Sequence, residues 1–580
     1  MSDCQIGGRK RKGCRNNIFI VNGIIHDVLS SKKKKPVLLQ IYDYRQMFDA
    51  INLEQALSDL FDAGVDDDNL ALLYRANKEI DMAVNTPSGL TERQVIENVV
   101  LQGDTFGSIM ASVQVDSIGK EIEQSGIGYQ YKDILPVSLL GLVDDIIGIT
   151  EAGYKSQQMN AILNIKTAEK RLQFGETKCK SMLICKNPES VLNSPLQVDK
   201  WKIEHQDNLL TGESDLVETY EGLVSIGKTE KYKYLGFMIS NIGDNMMNIV
   251  EMKNKSTWII RKIFNRLECM NLKQYYFECA LIFLNIMLRS SILYACETYY
   301  NLKETEVRQL ERIEENFLRK LFKTTRGCPI SQLYLESGHT PARYEAMRLR
   351  LLFLKYILNE KPDSLIYKFL QLQIENPTRG DWASSCIKDI KELKLNLSLE
   401  DIKMMTKTKL NNMIKISIRT CALEYLLGKQ GSKGKDILYS EIKMAEYLMP
   451  NDSNLNISQK QDTFEVRNRM LPIPHNFPSQ EKYDNCVKCE HTEDMLHIYD
   501  SECWRIEVMN IPYENIYSEN IIHLKKVFLQ FKVNFERRKM FIIEKERNKN
   551  DENEKHEEPP HEILFCDPPS SVFEYGNGNK

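Results

Sequence analysis

Two adjacent aspartates, Asp144 and Asp145, are the only charges between Ile134 and Ile149. Leu139 to Val143 precedes the pair and Ile146 to Ile149 follows it. Two short apolar runs around such a pair predict a β-hairpin with both carboxylates at its tip. Neighbouring buried carboxylates repel, and both stay ionised only when cations neutralise them. Oxygen ligands of this kind suit Mg²⁺. Taken alone, the pair fits a plain polar turn between two strands at least as well.

A second run, Val37-Leu38-Leu39-Gln40-Ile41-Tyr42, also ends in a carboxylate, Asp43. It reads as a buried strand. A third carboxylate at the end of a neighbouring strand completes a two-metal site, in which ions ~3.5–4 Å apart activate an attacking hydroxyl and stabilise a leaving oxygen. Asp43 is placed to supply it, and equally fits an ordinary strand end.

Between and beyond these runs, Ile18 to Val28 has the pattern of an amphipathic helix. Asn52 caps a helix that Gly64 stops. A further helix is expected over Asp67 to Ile80, and Pro87-Ser88-Gly89 marks a turn between extended runs. Helices are expected over 105–124 and Gln157 to Leu172, and strands over Ser181 to Cys185 and Tyr232 to Ile239. After about residue 246 the apolar residues recur every three or four positions, as in Leu310, Ile313, Phe317 and Leu321, which predicts a helix-rich half. The apolar run Cys279 to Leu288 is too short to span a membrane and reads as a buried helix. Glu544 to Glu558, followed by two Pro-Pro pairs, reads as a largely disordered end.

In order along the chain, Asp43-Tyr44-Arg45-Gln46-Met47-Phe48-Asp49 resembles motif A of reverse transcriptases from non-LTR (LINE-type) retrotransposons. Leu101-Gln102-Gly103-Asp104-Thr105-Phe106-Gly107-Ser108 resembles motif B. Leu142-Val143-Asp144-Asp145 resembles motif C, Phe174-Gly175-Glu176-Thr177-Lys178-Cys179 motif D, and Tyr234-Leu235-Gly236 motif E. Gln5-Ile6-Gly7-Gly8-Arg9 is similar to the segment that precedes motif A in these elements. Ile292 to Glu297 and the helices after it are similar to their thumb. The resemblance covers residues 3 to about 510. Met47, Leu142-Val143 and Thr105-Phe106-Gly107 depart from the usual residues of their motifs without touching the aspartates. The finger segments and the endonuclease that family members carry ahead of this point are not in the sequence, so the chain is expected to be an N-terminally truncated element.

The resemblance implies an α+β fold: a right-hand polymerase palm of antiparallel sheet with helices packed on one face, a helical thumb, a helical C-terminal region and a small zinc knuckle. Fingers remnant and palm are expected over 1–245, thumb over 246–365, a helical connecting region over 366–475, the knuckle over 476–515 and a charged, largely disordered tail over 516–580. Asp43, Asp144 and Asp145 would be catalytic and hold two Mg²⁺. Phe48 would press on the sugar and exclude a 2′ hydroxyl, or serve as a core aromatic. Gln102 and Gly103 would contact the incoming nucleotide, since glycine lets a backbone come close. Lys178 would stabilise or protonate the leaving pyrophosphate, or remain a solvated loop lysine. Tyr234-Leu235-Gly236 would grip the primer.

Cys486-x2-Cys489-x7-His497-x5-Cys503 offers three thiolates and one imidazole, a tetrahedral zinc set. His491 competes with His497 but lies close to Cys489. Zinc would hold together a segment too small to fold around its own core.

Composition bears on partners and compartment. The chain has 580 residues, 77 Lys+Arg, 81 Asp+Glu and a formal net charge of -4. That balance excludes a histone-like basic protein, while nucleic-acid binding needs only a basic face. Fourteen scattered cysteines and a start without an apolar signal segment fit a reducing interior. The expected activity is RNA-directed DNA polymerisation from dNTPs on a DNA primer or target DNA with an RNA template, in nucleus and cytoplasm and without a membrane. The alternative is a catalytically inactive, retrotransposon-derived nucleic-acid-binding protein. A different two-metal enzyme, such as a nuclease, shares the aspartates but not the motif order.

Overall fold

All six residues from Val37 to Tyr42 are buried, so this strand must run through the middle of a sheet covered on both faces. A computed structural model of the chain places it there. The structure describes residues 2–30, 33–97, 100, 106–186, 196–207, 214–300, 302–324, 327–430, 439–450, 455–468, 485–491, 495–500, 503–504 and 521–553. The chain forms two compact units. The first comprises Met1–Lys323, Ile330–Gln430 and Tyr439–Ala445; the second comprises Thr324–Pro329, Gly431–Leu438 and Glu446–Lys580. The expected boundaries at 245 and 365 therefore both fall within the first unit.

The main sheet has five strands: β1 (Val37–Tyr42), β2 (Leu139–Leu142), β3 (Asp145–Glu151), β4 (Lys180–Ile184) and β5 (Gly227–Lys228). Their order is β5-β4-β1-β3-β2. Every neighbouring pair is antiparallel except β4 and β5, which run parallel. Three helices frame the sheet: α1 (Cys14–Ser30), α2 (Gly107–Ser125) and α3 (Tyr154–Glu169). On one face, Leu38, Tyr42 and Ile146 share a core with Met110 and Ala111 of α2 and Met159 and Leu163 of α3. The other face was expected to lack helices, but Leu39, Ile41, Ile147 and Ile149 are buried there too. Helix α1 packs against β2 and β4. Inside the first core, the Tyr42 hydroxyl bonds Gln40 Oε1 at 2.9 Å and Asn160 Oδ1 at 2.6 Å, tying β1 to α3 through a satisfied polar group.

The local signals mostly act as expected. The Asn52 side chain accepts from the Gln55 N–H and caps the helix Leu53–Asp62. The next helix is shorter than its pattern predicts: it stops at Asn77, and Ile80 lies in a strand paired with Gln94–Glu97. From Met246 to Leu427 the described residues form helices and short connections. Phe19 of α1 sits among the rings of Tyr300, Phe353, Phe369 and Trp382, which joins the helical half to the sheet. The run Cys279 to Leu288 is amphipathic rather than buried throughout, because Ile282 and Ile286 face solvent. No helix among the described residues is long and apolar enough to cross a membrane.

In the second unit, the helix Ile521–Asn553 runs through a region expected to be a largely disordered tail. Val527 and Phe531, four residues apart, are buried with Ile498, Tyr499 and Trp504. That apolar stripe outweighs the charged composition of the helix. Asn534 Nδ2 donates to the carbonyls of Ile498 (3.1 Å) and Tyr499 (2.9 Å), so the helix also binds the backbone of the segment beside it.

Candidate functional site

Leu142 pairs with Asp145, which leaves Val143 and Asp144 as the two-residue loop of the β2–β3 hairpin. Tyr42 pairs with Ile146, so Asp43, the next residue, comes level with Asp145 on the neighbouring strand. A second backbone alignment adds Lys178. Tyr44 bridges Phe174, the Arg45 N–H bonds Gln173 O at 2.8 Å, and the Gly175 N–H bonds Asp43 O at 2.8 Å. The turn that follows carries the Lys178 ammonium to Asp43, where it donates to Oδ1 at 2.8 Å. Lys178 is otherwise mostly in solvent, with 67% of its side chain exposed.

The carboxylates perturb one another. Burial, with Asp144 and Asp43 adding to it, pushes Asp145 up from 3.8 to about 6. Burial also raises Asp144, and the charge of Asp43 reinforces it. Lys178 opposes both shifts, and its own pKa is raised chiefly by the hydrogen bond to Asp43. One exposed ammonium thus faces three acids. An all-oxygen donor set with surplus negative charge fits hard dications such as Mg²⁺. The three carboxylates are not as tightly gathered as a closed metal cage; Asp43 is engaged by Lys178 instead.

The other expected residues fall in different places. Phe48 lies on a short helix, Met47–Ala50, and is partly buried against the sheet core. Gln102 and Gly103 lie outside the described residues. Tyr234-Leu235-Gly236 forms the turn of a hairpin between Lys231–Tyr234 and Phe237–Ser240. Leu235 and Gly236 both have positive φ, 49° and 79°, the conformation a tight two-residue hairpin turn requires. The Tyr294 hydroxyl donates to Leu235 O at 2.7 Å and fixes that turn. Tyr232 was missed by the motif reading. Burial pushes its hydroxyl up to about 12, with Asp145 and Asp43 adding, which sets it in the field of the acidic centre. The available signal was the period of two along the strand, which puts Tyr232 on the same face as Tyr234.

The sequence has two basic runs near its start, Arg9 to Lys12 and Lys32 to Lys35, which by themselves fit either a surface facing nucleic acid or solvated loops. Several basic residues of this region are paired with acids: Arg9 with Asp3, Lys12 with Glu360, Arg15 with Glu297, Lys34 with Asp27 and Asp133, and Lys35 with Glu151. A clearer basic face lies on the helix Met246–Cys269, where Trp258, Arg261 and Arg266 are exposed. The Lys262 ammonium sits 4.6 Å from the centre of the Trp258 ring. With Met270 and Phe283 these side chains line an open groove.

In the second unit, Cys486, Cys489, His497 and Cys503 each bring a ligand atom within 4.8 Å of the others. The Cys486 N–H bonds His491 O at 2.9 Å and the Glu490 N–H bonds Cys486 O at 2.9 Å, folding the first two cysteines into a tight turn. Glu490 takes a φ of 62° in it. His491 turns its Nδ1 to the Cys489 carbonyl, at 2.9 Å. Cys489 is lowered to about 7, first by its hydrogen bond to the His491 backbone, so a thiolate is available near neutral pH.

An acidic hairpin tip, a third aspartate on the adjoining strand and a facing lysine form a donor set of the kind that could hold divalent ions and phosphates. Residues 1–239 match the family described as reverse transcriptase (RNA-dependent DNA polymerase). The matched segment is less than half of the chain and contains Asp43, Asp144, Asp145 and Lys178. No curated protein matches the chain. Among solved structures, telomerase from Candida albicans, in complex with a TWJ fragment of telomeric RNA, is 12% identical with a TM-score of 0.28, covering 67% of this chain and 52% of that one. Telomerase from Candida tropicalis with the corresponding RNA fragment is 13% identical with a TM-score of 0.28, covering 71% and 53%. The chain thus spans about half the length of these telomerase chains.

Proposed function

We propose that the chain extends a primer 3′ hydroxyl with dNTPs on an RNA template, as the polymerase of a non-LTR retrotransposon inside the cell. The observation that carries this reading is the approach of Asp43, Asp144 and Asp145 at the ends of adjoining strands within the segment that matches the reverse transcriptase family. In this reading the sheet with α2 and α3 is the palm and the helices from Met246 onward begin the thumb. Asp43, Asp144 and Asp145 would hold two Mg²⁺. When bound, such ions make the primer hydroxyl a better nucleophile and neutralise charge on the triphosphate. The chain's own groups do the rest. Lys178, released from Asp43, donates a proton or a hydrogen bond to the departing pyrophosphate oxygen. The Leu235-Gly236 tip, braced by Tyr294, holds the primer end. Cys486, Cys489, His497 and Cys503 would hold a structural Zn²⁺, and the segment they close would contact template RNA or target DNA.

The reading is tested by giving the full chain an RNA template with an annealed DNA primer, Mg²⁺ and dNTPs. Template-length extension is expected. No extension, under conditions where a control reverse transcriptase copies the same substrate, would contradict it.

Three further results are expected. Phe48→Ala opens space beside the sugar and lowers the preference for dNTP over rNTP by about 10–100-fold in single-nucleotide incorporation, the range one pocket contact commands. Trp258→Ala weakens binding of primed RNA by about 1–3 kcal/mol, the usual worth of one stacked base. Arg261→Ala and Arg266→Ala each reduce the salt dependence of that binding by about one unit of slope. Fluorescence anisotropy titrations at several salt concentrations measure both effects.

A further inference from the structure

Residues Cys4 to Gly7 run along the free edge of β2. The Ile6 N–H donates to Gly141 O at 3.1 Å, and the Gly141 N–H donates to Cys4 O at 2.6 Å. Between these bonds the Gln5 side chain is fully buried. Its Nε2 donates to Val143 O at 3.0 Å. Its Oε1 accepts from the Val143 N–H at 3.0 Å and from the Gly7 N–H at 2.8 Å. One amide thus satisfies both backbone groups of Val143. A side-chain amide presents a donor and an acceptor side by side, as this pairing requires.

Val143 is the residue that needs such support. It opens the hairpin loop with a φ of 59°, a conformation costly for a β-branched residue and normally left to glycine. Strain of this kind persists only where surrounding groups over-determine it. The strap is fitted closely to the loop: a Cβ on Gly7 would come within 2.6 Å of Val143 N and 2.5 Å of Ser112 Oγ. Arg9 holds the strap in turn, donating to Ser2 O at 2.6 Å and Gln5 O at 3.4 Å. The next two residues after Val143 are Asp144 and Asp145.

We propose that Gln5 is a positioning residue: its amide locks the Val143 backbone and thereby holds Asp144 and Asp145 together to receive divalent cations. This deepens the polymerase reading and rests on it for the identity of the cations' task.

The test uses the full chain and Mn²⁺ as the probe, with free Mn²⁺ counted by electron paramagnetic resonance. Binding at the centre is the part that Asp144→Asn removes. Gln5→Met keeps length and burial but cannot bond Val143. It is expected to weaken Asp144-dependent Mn²⁺ binding by about tenfold, in the range typical for groups that orient metal ligands. Ile6→Ala, a change in the same strap that spares the loop contacts, is expected to lower the melting temperature without that loss of affinity. Placing Val143→Gly in the Gln5→Met background is expected to recover part of the affinity, because glycine adopts positive φ unaided. Wild-type Mn²⁺ affinity in Gln5→Met would overturn the proposal, and so would a double variant no tighter than Gln5→Met. If Gln5→Met does not fold, hydrogen exchange in the wild type decides. Slow exchange of the Val143 amide is expected, and exchange at the rate of an open loop would overturn the clamp. A chain that binds Mn²⁺ through Asp144 yet never extends a primer would overturn the polymerase reading alone. Absence of any Asp144-dependent binding would overturn both.

Discussion

Asp144→Asn is expected to cut primer extension on an RNA template by about 10³–10⁴-fold, equivalent to about 4–5 kcal/mol of transition-state stabilisation. The amide keeps the size of the side chain and removes its charge. The hairpin itself should survive, since Leu142 still pairs with Asp145 and Gln5 still bonds Val143. The metal-free chain should even gain stability, because Asp145 then loses its nearest like charge. A loss of activity with an unchanged or higher melting temperature separates a role in chemistry from a role in folding. The pH dependence has a definite sign. Asp145 titrates near 6 in the folded chain against an ordinary 3.8, so the folded state binds that proton more tightly than the unfolded state. Its contribution to stability is fully present below pH 3.8 and is lost as the pH rises through about 6. Added Mg²⁺ is therefore expected to raise the melting temperature more at pH 7 than at pH 5. Calorimetric scans at the two pH values measure the difference.

The second large effect belongs to the cysteine-histidine cluster. Purified chain is expected to carry one zinc, and Cys489→Ser to carry almost none by elemental analysis. Structural zinc contributes about 10–16 kcal/mol of binding free energy in small domains, far more than a few buried side chains supply. Here the cluster has a partial substitute for that support. Cys486 is buried with Ile498, Tyr499 and Trp504 against Val527 and Phe531 of the long helix. The Arg537 guanidinium also bonds Trp504 O at 3.3 Å. The described parts of 485–504 are therefore expected to exchange amide hydrogens much faster in Cys489→Ser, while the helix Ile521–Asn553 is affected less. Equal exchange in both proteins, or a wild type free of zinc, would contradict a structural zinc.

The sequence made legible what local pattern controls. Two apolar runs around Asp144-Asp145 were enough to predict the hairpin, and Asn52 was enough to predict its cap, because both depend on neighbours a few residues away. Features that depend on distant partners were not legible. Lys12 pairs with Glu360 across 348 residues of chain, so a basic run that reads as substrate-facing is partly neutralised in the fold. Gln5 reaches Val143 across 138 residues, and nothing near Gln5 announces a buried amide clamp. The helix Ile521–Asn553 was obscured differently. Its charged end dominates the composition, while among the described residues the apolar burial rests on Val527, Phe531 and Phe535, with Phe541 packed beside them. The second covered face of the main sheet was also hidden. Leu39 and Ile41 look the same whether their cover is a helix of the same domain or the helical half.

Template-directed single-nucleotide incorporation tests most directly whether this acidic centre copies RNA into DNA. The full chain is given a DNA primer on RNA templates that differ only in the next template base, with Mg²⁺ and one dNTP at a time. Only the complementary dNTP is expected to be added to each template, and Asp144→Asn is expected to abolish the addition. Addition that ignores the template base, or that proceeds equally well in Asp144→Asn, would contradict RNA copying by this centre.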